Sequence, residues 1–237
     1  NANACTGKQG VKDAQTMQAL TAEKLGIAAN LVGVCSTGVI GEIMNMEPVA
    51  SGISQLQPKD CLESAIDFAQ AIMTTDTVMK NTSYSTIIDG KEIIIAGVAK
   101  GSGMIEPNKA TMLGFITTDA NIESHVLQAA LSDITNLTFN AITVDGDTST
   151  NDTVVVMANG VAGNDSLTSA HPDWHNFYYT LKTVAQDLAK MIAKDGEGAT
   201  KLIEVEVEGA ISDDEARKIA KTVVGSPLVK TAVFGCD

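Results

Sequence analysis

A layered α/β or α+β sandwich is the fold class this sequence predicts. Apolar runs of period two alternate along the chain with stretches at helical spacing, and the strand-like runs cluster while helices flank them. The chain is also 44% hydrophobic but only 4% aromatic. Its core must therefore be built from Ala, Val, Ile, Leu and Met. At 237 residues it fits one large domain or two small ones.

The elements follow in order. Val11, Ala14, Met17, Leu20 and Leu25 share one helical face, and Gly26 stops that helix. "LVGVCS" (31–36) is a short apolar run, expected as a buried strand feeding the turn Thr37-Gly38. "CLESAIDFAQAIM" (61–73) is an amphipathic helix with Asp60 as its cap. "TSYSTIIDGKEIIIAGVAKG" (82–101) is a hairpin, because Asp89-Gly90 suits a type I′ turn between two alternating runs. Thr111–Thr117 is expected as a strand, Glu123–Asn136 as a helix and "TVVVMANG" (153–160) as a buried strand. A helix over Tyr178–Lys194 carries Leu181, Val184, Leu188 and Ile192 on one face. "KLIEVEVEG" (201–209) alternates cleanly, as a strand with one wet face does. Ser212 and Glu215 form a capping box that opens the helix "DDEARKIAKTVV". The chain shows no internal repeat and no low-complexity linker.

Charge and cysteines narrow the function classes. A net charge of −13 supplies no basic field for nucleic acid or an anionic membrane. The four cysteines stand apart with no CxxC pair, which speaks against zinc or a disulfide framework and for a reduced, cytoplasmic setting. No stretch is long and apolar enough for a membrane-spanning helix, and no secretory signal stands in the sequence. The N-glycosylation sequons are then incidental. With no initiator Met, the sequence is expected to be cut from a longer chain at both ends.

Local motifs give weak chemistry by themselves. "KGSGMIEPN" is glycine-rich but lacks phosphate-loop spacing, so it is expected to be a mobile loop. "DGDTSTND" lacks the glycine and the bidentate Glu of a calcium loop. "HPDWH" is expected to be a polar surface loop rather than a metal site, and no metal is expected elsewhere. Thr37-Gly38 could supply a hydroxyl and a backbone N–H to an oxyanion, although most such turns are only turns. Lys100 could pair with a carboxylate, although most lysines merely solvate a surface. Glu197 in "KDGEGAT" has the default reading of a solvated loop acid. "KATMLGFITTDA" (109–120) poses a sharper question, because Thr111 heads a strand directly behind Ala110 and the glycine-rich loop. A threonine destined to become an N-terminus fits that position.

Together, "NANACTG", "CSTGVIGE", "IMTTDT", "AKGSGMIEPNKATMLGFITTDA", "VDGDTSTND" and "VFGCD" resemble the ornithine acetyltransferase family, in the same order along the whole chain. Lys109 departs from the Met frequent there. The resemblance implies an αββα sandwich that cuts itself at Ala110–Thr111. Residues 1–110 would be the C-terminal part of an α chain and 111–237 the N-terminal part of a β chain, assembled as α2β2. It implies Thr111 as nucleophile, Thr37 and Gly38 as oxyanion hole, and Thr74, Lys100, Thr111 and Glu197 as substrate-binding residues. It further implies transfer of an acetyl group from N2-acetylornithine to glutamate in arginine biosynthesis. No cofactor is called for, with acetyl-CoA as a further possible donor. The alternative is an N-terminal-nucleophile amidase that passes the acyl group to water.

Overall fold

The computed structural model describes residues 1–105, 112–147 and 149–236, in two compact units, 1–71 and 72–237.

The first unit contains α1 (Gly7–Leu25), α2 (Met46–Gln55) and α3 (Leu62–Ala71). Gly26 ends α1 with φ 67°, the left-handed conformation that glycine takes without penalty. Asn45 caps α2 by accepting the Glu47 N–H, and Pro48 sits in the first turn, where its missing N–H leaves no bond unmade. That helix was not among the elements expected from the sequence. The strand expected over 31–36 does not form. This segment follows a single 3-10 turn, Ala29–Leu31, and pairs with no described strand. Leu31 is 68% exposed, so the run is not the buried strand its composition suggested.

A four-stranded sheet forms the second unit, in the order β1 (Lys80–Ile88), β2 (Lys91–Lys100), β3 (Leu113–Thr118), β4 (Thr153–Ala158). The first two pairings are antiparallel and the third is parallel. Asp89 and Gly90 close the hairpin at φ 51° and 71°, as a type I′ turn requires. The parallel pair is joined by a crossover through α4 (Ser124–Leu137). α5 (Trp174–Lys194) packs on β1 and β2, with Phe177, Leu181, Val184, Leu188 and Ile192 buried at helical spacing. They meet Ile88, Ile93, Ile95 and Ile116 in one cluster, so the core is aliphatic as the composition demands. The other face of the sheet is mixed: Ile87, Ile94 and Met157 stand about half exposed on it beside Ser83, Ser85, Glu92 and Thr117.

α5 lies close on β2 because Gly97 has no side chain. A Cβ there would lie 2.7 Å from Leu188 Cδ1 and 2.9 Å from Val184 Cγ1. Gly97→Val should therefore destabilise the fold by about 1–3 kcal/mol through overpacking. Urea unfolding should show the loss as a lower midpoint at unchanged slope.

α6 (Asp213–Gly225) and α7 (Pro227–Gly235) follow. Ser212 accepts the Glu215 N–H at 3.3 Å, and the Glu215 carboxylate reaches back to the Ile211 N–H, one residue beyond the N-cap N–H of the usual capping box. Ser226 caps α7 by accepting the Val229 N–H, ahead of Pro227 at the helix start. Residues 201–209 alternate as expected, with Ile203, Val205 and Val207 half-buried between exposed glutamates, yet they join no described ladder. A period of two gives a strand its faces, but only a partner gives it hydrogen bonds.

"HPDWH" is not a free surface loop. Asp89 donates its N–H to Asp173, Asp173 donates its N–H to His171 Nδ1, and His171 Nε2 lies 3.2 Å from Asp89. These links pin the hairpin tip to the start of α5. The side chains of Asp89, His171 and Asp173 come within metal-sharing distance of one another. However, Nδ1 accepts a hydrogen bond, so a neutral His171 carries its proton on Nε2 and donates it to Asp89. Neither ring nitrogen then offers a lone pair to a cation. No described helix is long and apolar enough to cross a membrane.

Candidate active site

Register brings three strand ends together. Lys100 at the end of β2 pairs with Leu113 at the start of β3, and Leu113 pairs with Thr153 at the start of β4. Ala110 and Thr111, the expected scissile pair, lie outside the described residues. Met112 is the first described residue after them. It is 3% exposed, its N–H donates to Asp152 Oδ1 at 2.8 Å, and its carbonyl accepts the Thr153 N–H at 3.1 Å.

The segment leading away from Lys100 is held rather than mobile over residues 101–105. The Gly101 N–H donates to Asp76 Oδ1 at 2.7 Å, and the Ser102 hydroxyl donates to the Asp195 carbonyl at 2.9 Å. Asp145 takes the successive N–H groups of Met104 and Ile105 on its two oxygens. Met104 sits at φ 56°, a left-handed conformation unusual outside glycine and sustained here by that grip. The expectation of a mobile loop thus fails over these residues, because three aspartates from distant parts of the chain reach it.

Two lysines are buried here in a chain whose other charges mostly face water. Lys80 is fully buried, and its ammonium lies 2.6 Å from Asp76 and 2.6 Å from Asp195. Burial pushes both carboxyls up, but hydrogen bonds and the Lys80 charge overcome it, so both titrate below the usual range. Lys100 is 1% exposed. Burial lowers its pKa, while Asp76 and Asp152 oppose that fall. Asp152 is pushed up to about 7, mainly by burial, against the Met112 N–H and the Lys100 charge.

Backbone hydrogen bonds tie Thr74 and Glu197 to the segment that follows Lys100. The Thr74 N–H donates to Asp76 Oδ2 at 3.1 Å, and the other oxygen of Asp76 holds Gly101, next to Lys100. The Glu197 N–H donates to the Ser102 carbonyl at 2.8 Å. Its carboxylate lies against Gly103, where a Cβ would come within 2.5 Å of Oε1. Glu197 is exposed, as a solvated loop acid would be, but its backbone is fixed to the Lys100 segment. A groove of about 630 Å³ between α5 and the α6–α7 region includes Glu197 but neither Lys100 nor Asp152.

Thr37 and Gly38 belong to the first unit. Gly38 has φ 126°, and a Cβ there would lie 2.6 Å from the Asn1 nitrogen. The Ala2 N–H donates to the Val39 carbonyl at 2.8 Å, and the Gly41 N–H donates to the Ala4 carbonyl at 2.9 Å. The "NANACTG" and "CSTGVIGE" motifs therefore run side by side, and glycine is required where they touch. Sequence reasoning missed Asp76, Lys80, Asp152 and Asp195. Asp76 and Asp152 stand inside quoted motifs, but nothing local distinguishes a buried aspartate from a solvated one.

Comparison with known proteins agrees with this assembly of motifs. Residues 1–237 match the ArgJ family. The arginine biosynthesis bifunctional protein ArgJ of Geobacillus stearothermophilus is 64% identical over 236 residues, covering 100% of this chain and 58% of that protein. The protein of the same name from Halalkalibacterium halodurans is 62% identical, covering 100% of this chain and 57% of that one. A crystal structure of arginine biosynthesis bifunctional protein ArgJ from Bacillus halodurans aligns with a TM-score of 0.52 at 67% identity, over 52% of this chain and 58% of that one. The chain thus spans somewhat over half the length of the curated relatives it matches. With the ordered motifs and a match along every residue, the chain belongs to the ArgJ family.

Proposed function

We propose that this chain is part of an arginine-biosynthetic acetyltransferase that moves an acetyl group from N2-acetylornithine to glutamate through Thr111. The observation that supports the reading is that Lys100 pairs with Leu113 at the start of β3, Met112 is anchored on Asp152, and the Glu197 backbone is tied to Ser102 just after Lys100. The names of the relatives support the pathway.

The chemistry begins with the chain itself. Thr111 Oγ attacks the Ala110 carbonyl, the peptide C–N bond breaks, and water hydrolyses the resulting ester. Residues 1–110 then belong to an α chain and 111–237 to a β chain. The freed α-amine has an intrinsic pKa of about 7.7–8, so part of it is a base near neutrality. It takes the hydroxyl proton as Oγ attacks the acetamide of acetylornithine. The carbonyl oxygen becomes an oxyanion, stabilised by the Thr37 hydroxyl and the Gly38 N–H. Ornithine leaves with a proton, and the glutamate amine takes the acetyl group from Thr111. Lys100 is a desolvated cation suited to the α-carboxylate that both substrates share, with Thr74 and Glu197 completing the pocket.

The same reading covers fold, assembly and setting. An αββα sandwich needs a second sheet, and two features favour one: the exposed side chains of Ile87, Ile94 and Met157 on the sheet face away from α5, and the alternation of 201–209 outside any described ladder. The mature enzyme would be α2β2 and cytoplasmic, with acetyl-CoA as a second acetyl donor and no cofactor.

Full-length protein given acetylornithine without glutamate should accumulate an acetylated Thr111 peptide, visible by mass spectrometry. Initial-rate lines for the complete reaction should be parallel. Free acetate released at the same rate with and without glutamate would show an amidase and overturn the transferase.

A further inference from the structure

Lys80 has no part in the chemistry just described, yet it is fully buried between two carboxylates. Its ammonium carries three hydrogens, and each has an acceptor within the chain. They are Asp76 Oδ1 at 2.6 Å, Asp195 Oδ2 at 2.6 Å and the Val78 carbonyl at 3.3 Å. No hydrogen is left for a ligand, so Lys80 can act on one only through the groups it holds.

Each aspartate holds more than Lys80. Asp76 accepts the Thr74 N–H on Oδ2 and the Gly101 N–H on Oδ1. Asp195 accepts the N–H and the hydroxyl of Thr77, and its carbonyl accepts the Ser102 hydroxyl. It stands directly after α5 and two residues before Glu197, whose N–H donates to the Ser102 carbonyl. One ammonium thus ties together three stretches far apart in the chain: 74–77, 100–102 and 195–197. Lys100 lies within the field of this cluster. Burial lowers its pKa, Asp76 and Asp152 oppose that fall, and Lys80 adds to it. Apolar side chains could fill the same space at no loss of stability, but their attraction has no direction. Short charge-assisted hydrogen bonds select one arrangement of the segments they join.

We infer that Lys80 is a positioning residue for substrate binding, which through Asp76 and Asp195 holds the Thr74, Lys100 and Glu197 segments in one fixed arrangement. The inference rests on the reading of those three residues as substrate-binding.

The test uses two variants of the full-length protein, Lys80→Met and the triple variant Asp76→Leu, Lys80→Met, Asp195→Leu. The single change leaves two buried carboxylates without their cation and should lower Tm. The triple change leaves no buried charge unpaired and should cost far less stability than Lys80→Met alone. In both, KM for N-acetylornithine and for glutamate should rise together by on the order of 10-fold, the equivalent of one charge-assisted hydrogen bond to substrate, with kcat changed less. A KM set by stability would recover in the triple variant, whereas a KM set by placement stays high. Wild-type KM values in the triple variant would overturn the inference and leave the acetyltransferase standing. A fall in kcat at unchanged KM would overturn it too, since the cluster would then act on the chemical step and not on binding. Loss of the fold in both variants would reduce the cluster to a structural ion pair and overturn it as well. Absence of acetyl transfer in the wild type would overturn both the inference and the reading beneath it.

Discussion

Thr111→Ala in the full-length protein should remain one uncut chain on denaturing gels and lose acetyl transfer by roughly 10⁴-fold or more. The size of the effect comes from one residue carrying three duties. Its Oγ cuts the chain, the same Oγ carries the acetyl group, and its α-amine exists only after the cut. Thr111→Ser keeps a hydroxyl and an α-nitrogen, so it should still mature and transfer at a reduced rate. N-terminal sequencing of the fragments checks the cut, and a fragment beginning at residue 111 in the Ala variant would refute the role.

Asp76→Ala should give the largest loss of stability, about 3–5 kcal/mol, because it removes one partner of a buried charge pair. Lys80 would keep the Asp195 carboxylate and the Val78 carbonyl, and the Gly101 N–H would lose its acceptor. Lys100 would lose an anion that now opposes the lowering of its pKa by burial, so its charged form would weaken and substrate carboxylates would bind less well. The pH dependence has a definite sign. Asp76 titrates below its ordinary value in the fold. Its contribution is therefore complete above the unfolded pKa of about 3.9 and disappears as pH falls through the folded one. Melting temperatures followed from neutral pH into the acid range should fall less steeply on the acid side in Asp76→Ala than in the wild type. Equal stability of the two proteins at pH 7 would refute the buried pair.

Elements whose signals are local were legible in the chain. The hairpin of β1 and β2 is written in Asp89-Gly90 between alternating runs, since a positive φ at two successive residues is a demand on those residues alone. α5 is written in the spacing of Leu181, Val184, Leu188 and Ile192, and α6 in Ser212 and Glu215. "LVGVCS" and "KLIEVEVEG" misled because alternation and apolarity describe a strand's faces but not its partner. α2 carries Pro48 in its first turn, where the missing N–H costs no helical bond.

By itself the sequence determined the aliphatic core, the helix caps, the hairpin turn and the ordered motifs that place Thr111, Thr37, Gly38, Thr74, Lys100 and Glu197. Each of these is a property of neighbouring residues or of a pattern along the chain. Only the tertiary structure decided which charges are buried and with whom. Lys80 meets an aspartate 115 residues away, and Asp152 meets the Met112 N–H across 40. An aspartate or lysine is written the same way whether water or another charge solvates it. The choice between them is made by the energy of burial, which exists only once the strands have paired and α5 has closed over them.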